Sequence, residues 1–237
     1  MILDEAQLLP TQWVVPCIEA LQLLVQGYGV SVLLSTATQP KPPKMPQPSE
    51  IIPDPAGLYA RLRRTCIRLP EDVRRPVSWP DLASELSHHD RVLCIVNTCG
   101  DCLALYDHLL ALCPEGTFHL SALMCGEHRS RCVREIKSRL REGLPVRVVS
   151  TQLVEAGVDL DFPIVYRALA GLDSILQAAG RCNREGKLGR LGEVIVFVRP
   201  IPKPMDLIRK GAYTTLDLMG AGIDPESLEA TVRYFEQ

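Results

Sequence analysis

The stretch VRVVSTQLVEAGVDLDFPIVYRALAGLDSILQAAGRCNREG, residues 146–186, alternates apolar runs with polar loops. It closes on the arrangement Q-x-x-G-R-x-x-R, formed by Gln177, Gly180, Arg181 and Arg184. VRVVST and IVYRAL read as strands, and the residues around Gln177 as a helix. The same rhythm extends outward on both sides. RVLCIVN (91–97) is a continuous apolar run, as expected of a strand covered on both faces. A helix is predicted from about 101 to 112, with Leu103, Leu105, Leu109 and Leu110 directed partly inward. FHLSAL (118–123), a charged helix near 127–142 and VIVFV (194–198) complete the series. Repeated strand-then-helix units predict an α/β fold: a parallel sheet with helices on both faces. Active residues in such sheets gather at the carboxyl ends of strands. Thr98, Thr151 and the loop after Thr151 fall there.

Four segments separate along the chain. Residues 1–38 carry two strand-like runs, at 1–3 and in VSVLLS (30–35), around a helical stretch near 13–26. Residues 39–75 form a proline-rich linker and connecting segment. Within it QPKPPKMPQPSEIIPDP (39–55) has seven prolines, which opposes any regular element, and an arginine-rich segment resumes order at 58–69. Residues 76–200 hold the strand–helix series. Residues 201–237 form a helical tail, where Asp224 is expected to cap a helix beginning at Pro225.

The chain has 237 residues, 46% hydrophobic and 23% charged, enough to bury a sizeable core. A formal net charge of −2 excludes a global basic field, so any nucleic-acid contact comes from a local patch. No run of 18 apolar residues and no signal-peptide pattern occurs, so the expectation is a cytoplasmic protein with no membrane partner. Nine cysteines in that setting imply reduced thiols. Cys99 and Cys102 form a C-x-x-C, but no second pair follows at zinc-finger spacing.

The polar residues at the predicted strand ends fit nucleotide chemistry. Hydrolysis of ATP needs a metal near the phosphates, a positioned water and positive charge on the transferring phosphoryl group. Asp4 and Glu5, after the first apolar run, suit the first two needs: one carboxylate holds Mg²⁺ and the other orients the water. Alone, an acidic pair also reads as a solvated turn. Arg181 and Arg184 suit the third need, three apart on one helical face, with Gln177 on the same face. A salt-bridged surface helix is the plainer alternative. Ser35, Thr36 and Thr38 end the VSVLLS run, where their hydroxyls can bond Gln7 or cap the next turn. Thr98 and Thr151 can grip phosphates of a single strand. The helix at 128–143 carries Arg129, Arg131, Arg134, Lys137, Arg139 and Arg141, either a solvated face or a nucleic-acid contact.

Taken together, MILDEAQLLP, VLLSTATQP, LSALMCGEHRSRCVREIKSRL, the segment 150–186 and VIVFVRP resemble the superfamily 2 helicase core. More narrowly they resemble the helicase portion of the CRISPR-associated signature helicase–nuclease of type I systems, over nearly the whole chain. The resemblance implies a RecA-like second lobe at 76–200, preceded by the end of a first RecA-like lobe. It implies ATP and Mg²⁺ as cofactors, with Asp4 and Glu5 as the metal-binding and water-activating motif. Gln7, Thr36 and Thr38 become coupling residues, and Ala37 lies between the two threonines. Gly157 and Asp159 become nucleotide-binding residues, Thr98 and Thr151 nucleic-acid contacts, and Gln177, Arg181 and Arg184 the catalytic sixth motif. It also implies single-stranded DNA and a CRISPR surveillance complex as partners, in antiviral defence.

Several positions depart from that pattern. Gln7 stands where many relatives carry histidine, and can still donate and accept. Cys99 replaces a frequent lysine or arginine. No G-x-x-x-x-G-K-[ST] phosphate cradle occurs in the sequence, and His88-His89-Asp90 does not match the nuclease's metal cluster. The expectation is therefore a piece truncated at both ends and inactive by itself. A non-enzymatic module that binds nucleic acid or a partner is the competing reading. A generic RNA helicase would carry H-R-x-G-R-x-x-R where Gln177 stands.

Overall fold

The computed structural model describes residues 1–4, 6, 9, 11–35, 49, 51–70, 72–155, 158–200 and 206–236. Two compact units result: residues 1–62 with 216–237, and residues 63–215. Among the described residues no helix is long and apolar enough to cross a membrane.

The larger unit is built on six parallel strands: β3 (Thr65–Arg68), β4 (Arg91–Ile95), β5 (Thr117–Leu120), β6 (Val146–Ser150), β7 (Ile164–Ala168) and β8 (Gly192–Phe197). Their order in the sheet is β3-β8-β7-β4-β6-β5. Alternation along each strand explains the apolar runs. In β4 and just beyond it, Val92, Cys94 and Val96 join one buried cluster while Leu93 and Ile95 join the other. The first cluster lies under α3 (Trp79–Ser87) and α4 (Cys99–Leu112). The second lies under α5 (Gly126–Glu142) and α6 (Leu172–Ala179). Helices thus cover both faces, as the sequence rhythm requires.

Local chemistry sets the element ends. Ser78 caps α3 by accepting from the Asp81 N–H, and Thr98 caps α4 by accepting from Asp101. Gly143, at φ 72°, closes α5, and the Leu144 N–H reaches the Arg139 carbonyl. Only glycine takes that left-handed position without strain.

Several expectations are corrected. Residues 65–68 form an edge strand paired with β8 rather than part of a connecting segment. On α4 the buried side chains are Cys102, Leu105 and Leu109, whereas Leu103 is 52% exposed, because 102, 105 and 109 share the sheet-facing stripe. Asp224 does not cap a helix. Its carboxylate accepts from the Glu226 N–H in a turn, and Ser227 caps α8 (Leu228–Glu236) by accepting from Ala230.

In the smaller unit, β1 (Ile2–Asp4) and β2 (Leu33–Ser35) pair in parallel around α1 (Thr11–Tyr28), placing Asp4 opposite Ser35. This unit also holds α2 (Pro55–Leu62) and α8, and α7 (Asp206–Gly220) runs from the larger unit into it.

Candidate functional site

The carboxyl ends of β4 and β6 carry Thr98 and Thr151, whereas the turn that holds Arg181 and Arg184 lies beside the amino ends of β7 and β8. Thr98 follows β4 and its Oγ1 accepts the Asp101 N–H at 2.9 Å. A hydroxyl used as a cap acceptor still has its own O–H to donate. Thr151 follows β6, is 8% exposed, and donates its N–H to the Leu120 carbonyl. Beyond it, Gln152–Val154 form one 3₁₀ turn and lead to Asp159.

The sixth-motif residues do not share one helical face. Helix α6 ends at Ala179, two residues before Arg181. The N–H groups of Arg181 and Cys182 donate to Ala178 and Ala179, so the chain tightens into successive turns. Asn183 then adopts φ 47°, a left-handed conformation. Its side-chain amide donates to the Arg64 and Arg190 carbonyls, and its oxygen accepts from Leu188. Asn183 therefore fixes this turn, with Asp161 accepting the N–H groups of Arg184 and Glu185.

The two arginines consequently have different surroundings. Arg181 is 8% exposed, and its guanidinium donates to the Val154 carbonyl at 2.7 Å and the Glu155 carbonyl at 2.6 Å. It ties the sixth motif to the loop after β6. Arg184 is half exposed and pairs with the Asp159 carboxylate at 2.8 Å. Gln177 stays on α6, partly buried. Gly157 lies outside the described residues, as do Glu5, Gln7, Thr36, Ala37 and Thr38. Asp4 is exposed at the end of β1 and accepts from the Ser35 hydroxyl at 2.9 Å. Ser35 thus turns toward Asp4. An exposed, steadied carboxylate at a strand end suits a hydrated Mg²⁺, which keeps most of its waters and takes one or two protein carboxylates.

The α5 cations divide into two groups. Arg134 pairs with Glu127, Arg139 with Glu115, and Arg141 donates to the Lys137 carbonyl. Arg129 and Lys137 instead line a groove of about 440 Å³ shared with Ser130, Val133, Leu153, Val158 and Asp159. This groove borders the same loop that carries the Arg184 partner. Cys102, of the C-x-x-C, is buried and donates to the Val149 carbonyl at 3.4 Å. Burial pushes its thiol up to about 12.

Sequence reasoning missed the polar layer under this edge. Arg167 on β7 is fully buried, with Nε 2.8 Å from the Glu155 carboxylate. Its Nη1 donates to Asn97 Oδ1 at 2.7 Å and to the Ala168 carbonyl at 2.8 Å. Asn97 in turn donates to the Leu169 carbonyl at 2.9 Å. Burial raises the Glu155 carboxyl to about 7, while the Arg167 charge pulls it down and Asp173 raises it further. The signal was present: a lone arginine inside IVYRA, in a strand buried on both faces, requires a buried partner.

A six-stranded parallel sheet with helices on both faces has the architecture of a RecA-like lobe. Residues 88–187 match the family model described as CRISPR-associated nuclease/helicase Cas3, C-terminal. The CRISPR-associated nuclease/helicase Cas3 of Haloferax volcanii is 44% identical over 94 residues, covering 38% of this chain and 10% of that protein. Its counterpart in Methanothermobacter thermautotrophicus is 25% identical over 198 residues, covering 78% of this chain and 24% of that protein. The crystal structure of T. fusca Cas3-ATP superposes with a TM-score of 0.74 at 20% identity, covering all of this chain and 35% of that one. The chain thus spans about a tenth and a quarter of the curated relatives it matches. Over residues 88–187 the chain is therefore similar to the C-terminal part of the Cas3 nuclease/helicases.

Proposed function

We propose that this chain supplies the second motor lobe, and the end of the first, of an ATP-dependent DNA helicase acting in CRISPR antiviral defence. The observation that carries this reading is the contact of Arg184 with Asp159 at an exposed sheet edge. It joins the loop expected to face a nucleotide to the sixth motif, and leaves a guanidinium within reach of solvent. We assign Arg184 to the developing charge on the γ-phosphate, a role that swaps Asp159 for phosphate when nucleotide is present. Arg181 positions the loop through the Val154 and Glu155 carbonyls, and Gln177 orients nucleotide or water from α6. Gly157 and Asp159 line the nucleotide side. Asp4 and Glu5 hold Mg²⁺ through water, and Gln7, Thr36 and Thr38 couple that loop to the nucleic acid.

Thr98 and Thr151 contact phosphates of a single DNA strand, and the groove cations Arg129 and Lys137 extend that contact. Backbone contacts of this kind position a strand without reading its sequence. The segmentation 1–38, 39–75, 76–200 and 201–237 follows the same reading, with residues 65–68 joining the sheet of the third segment as β3. A CRISPR surveillance complex is the partner that the family resemblance supports, with a cytoplasmic setting. Because a phosphate cradle of the G-x-x-x-x-G-K-[ST] type is not encoded in these 237 residues, the chain alone should turn over ATP at background rates.

The test is steady-state ATP hydrolysis with and without single-stranded DNA, by this chain and by the full-length helicase carrying it. DNA-stimulated turnover in the full-length protein and background turnover in the chain is the expected result. Robust turnover by the chain alone contradicts the expectation that it is inactive without such a cradle. DNA binding with no turnover in either form favours the non-enzymatic binding module.

A further inference from the structure

Five short polar contacts converge beneath the carboxyl edge of the sheet, and the three made by Asn97 and Arg167 belong to none of the predicted motifs. Arg167 reaches Asn97 on one side and Glu155 on the other. Asn97 immediately precedes Thr98, and its amide also holds the Leu169 carbonyl after β7. Glu155 closes the 3₁₀ turn that follows Thr151, and its own carbonyl accepts from Arg181. Val154, one residue earlier, accepts from the same guanidinium. A chain of side-chain contacts therefore runs from the Thr98 loop, through a fully buried arginine, to the loop and turn that carry Asp159 and Arg184.

Such an arrangement is not explained by stability alone. A buried ion pair gains little over well-packed apolar side chains, since desolvation offsets most of the attraction. An all-apolar layer would also seal this sheet edge. What a guanidinium adds is direction: its planar fork fixes two acceptors at set angles, which no apolar residue does. Arg167 Nη2 is buried and has no hydrogen-bond partner among the described residues, and Nε, although 2.8 Å from Glu155 Oε1, is not aligned to donate to it, so the fork is not fully matched in this arrangement. A second arrangement of the loops could engage it.

We propose that Arg167 is the positioning residue that couples DNA held at Thr98 and Thr151 to the nucleotide side at Asp159 and Arg184. This rests on the helicase reading above and deepens it. DNA pressing on the Thr98 loop shifts Asn97, Arg167 transmits the shift to Glu155, and the loop carrying Asp159 moves with it. Coupling carried this way requires two discrete arrangements of one packed network rather than a general softening.

The experiment compares Arg167→Met, Arg167→Lys and the double variant Arg167→Met/Glu155→Leu in the full-length helicase. Two quantities are read in each: thermal stability, and the ratio of DNA-stimulated to unstimulated ATP turnover. The double variant replaces the ion pair by apolar side chains of similar size, so it is expected to melt near the unsubstituted protein. Its stimulation ratio is nevertheless expected to fall by about tenfold, within the range typical of coupling between sites. Arg167→Lys keeps the charge but not the fork, and should also lose the ratio. A double variant that recovers both stability and stimulation makes Arg167 a packing element and overturns the proposal. If the unsubstituted protein shows no DNA stimulation, the helicase reading itself falls. Stimulation in the unsubstituted protein that persists in all three variants removes the coupling role alone.

Discussion

Arg167 with Glu155, and Arg184 with Asp159, are ion pairs of the same chemistry and the same 2.8 Å separation in one unit. The first lies wholly inside, with side-chain exposures of 0% and 6%, and the second at the surface, with 45% and 72%. Burial reverses what each pair does. Inside, neither side chain can be removed without leaving the polar atoms of its partner in a medium that solvates them poorly. At the surface, water solvates either charge, the pair contributes little, and its members are available to a ligand. The interior pair therefore holds loops in place, while the exposed pair is free to exchange partners.

The largest effect separating the two should come from Arg184→Ala. In the full-length helicase it is expected to lower ATP turnover on the order of 10³-fold, as for other arginine fingers. Its effect on stability should stay within about 1 kcal/mol, as for an exposed pair. A steady-state ATPase loss under about tenfold would remove Arg184 from the phosphate-facing role assigned to it.

Arg167→Met should do the reverse in this chain, costing about 3–5 kcal/mol in denaturant unfolding because Glu155 is left buried without its cation. A cost below about 1 kcal/mol would mean that the interior pair behaves like a surface one.

The pH dependence of unfolding sharpens the contrast next. The folded state holds the Glu155 proton up to about 7, whereas an unfolded glutamate releases it near its ordinary value of 4.5. Between those values the folded form binds more protons, so stability from this group is full below about 4.5 and declines as pH rises toward about 7. Denaturant midpoints measured across that window should fall, and Glu155→Gln should flatten the trend. A trend unchanged by Glu155→Gln would assign it to other groups.

Asn183→Ala gives the smallest of these effects. Its side chain makes three backbone contacts in the turn that presents Arg184. Losing them from a left-handed position should cost about 1–3 kcal/mol. The ATPase loss should be smaller than that of Arg184→Ala, and a larger one would place Asn183 ahead of Arg184 in catalysis.

Much of the sheet was legible because its strands are covered on both faces and so must be apolar throughout. RVLCIVN, VRVVST and VIVFV became β4, β6 and β8 with ends within a few residues. The edge strand β3 was hidden, since TCIR is short and lies beside arginines that suggest a surface segment. The Q-x-x-G-R-x-x-R spacing implied a helix through Arg181 and Arg184, whereas α6 stops at Ala179. Spacing alone does not reveal that two carbonyls 26 and 27 residues away would draw Arg181 inward. Asn183 stood in plain sight between them, and its tolerance of positive φ was the available clue.

From the order of residues alone came the parallel α/β sheet and the resemblance to the Cas3 family model over residues 88–187. Those follow from hydrophobic period and motif wording, which are local properties of the chain. Which arginine is buried, which is exposed, and that Arg167 joins the Thr98 loop to the Glu155 turn were decided by tertiary structure. They depend on strands β4, β6 and β7 lying side by side. Burial and the partners of a charge are properties of that neighbourhood, and no local pattern encodes them.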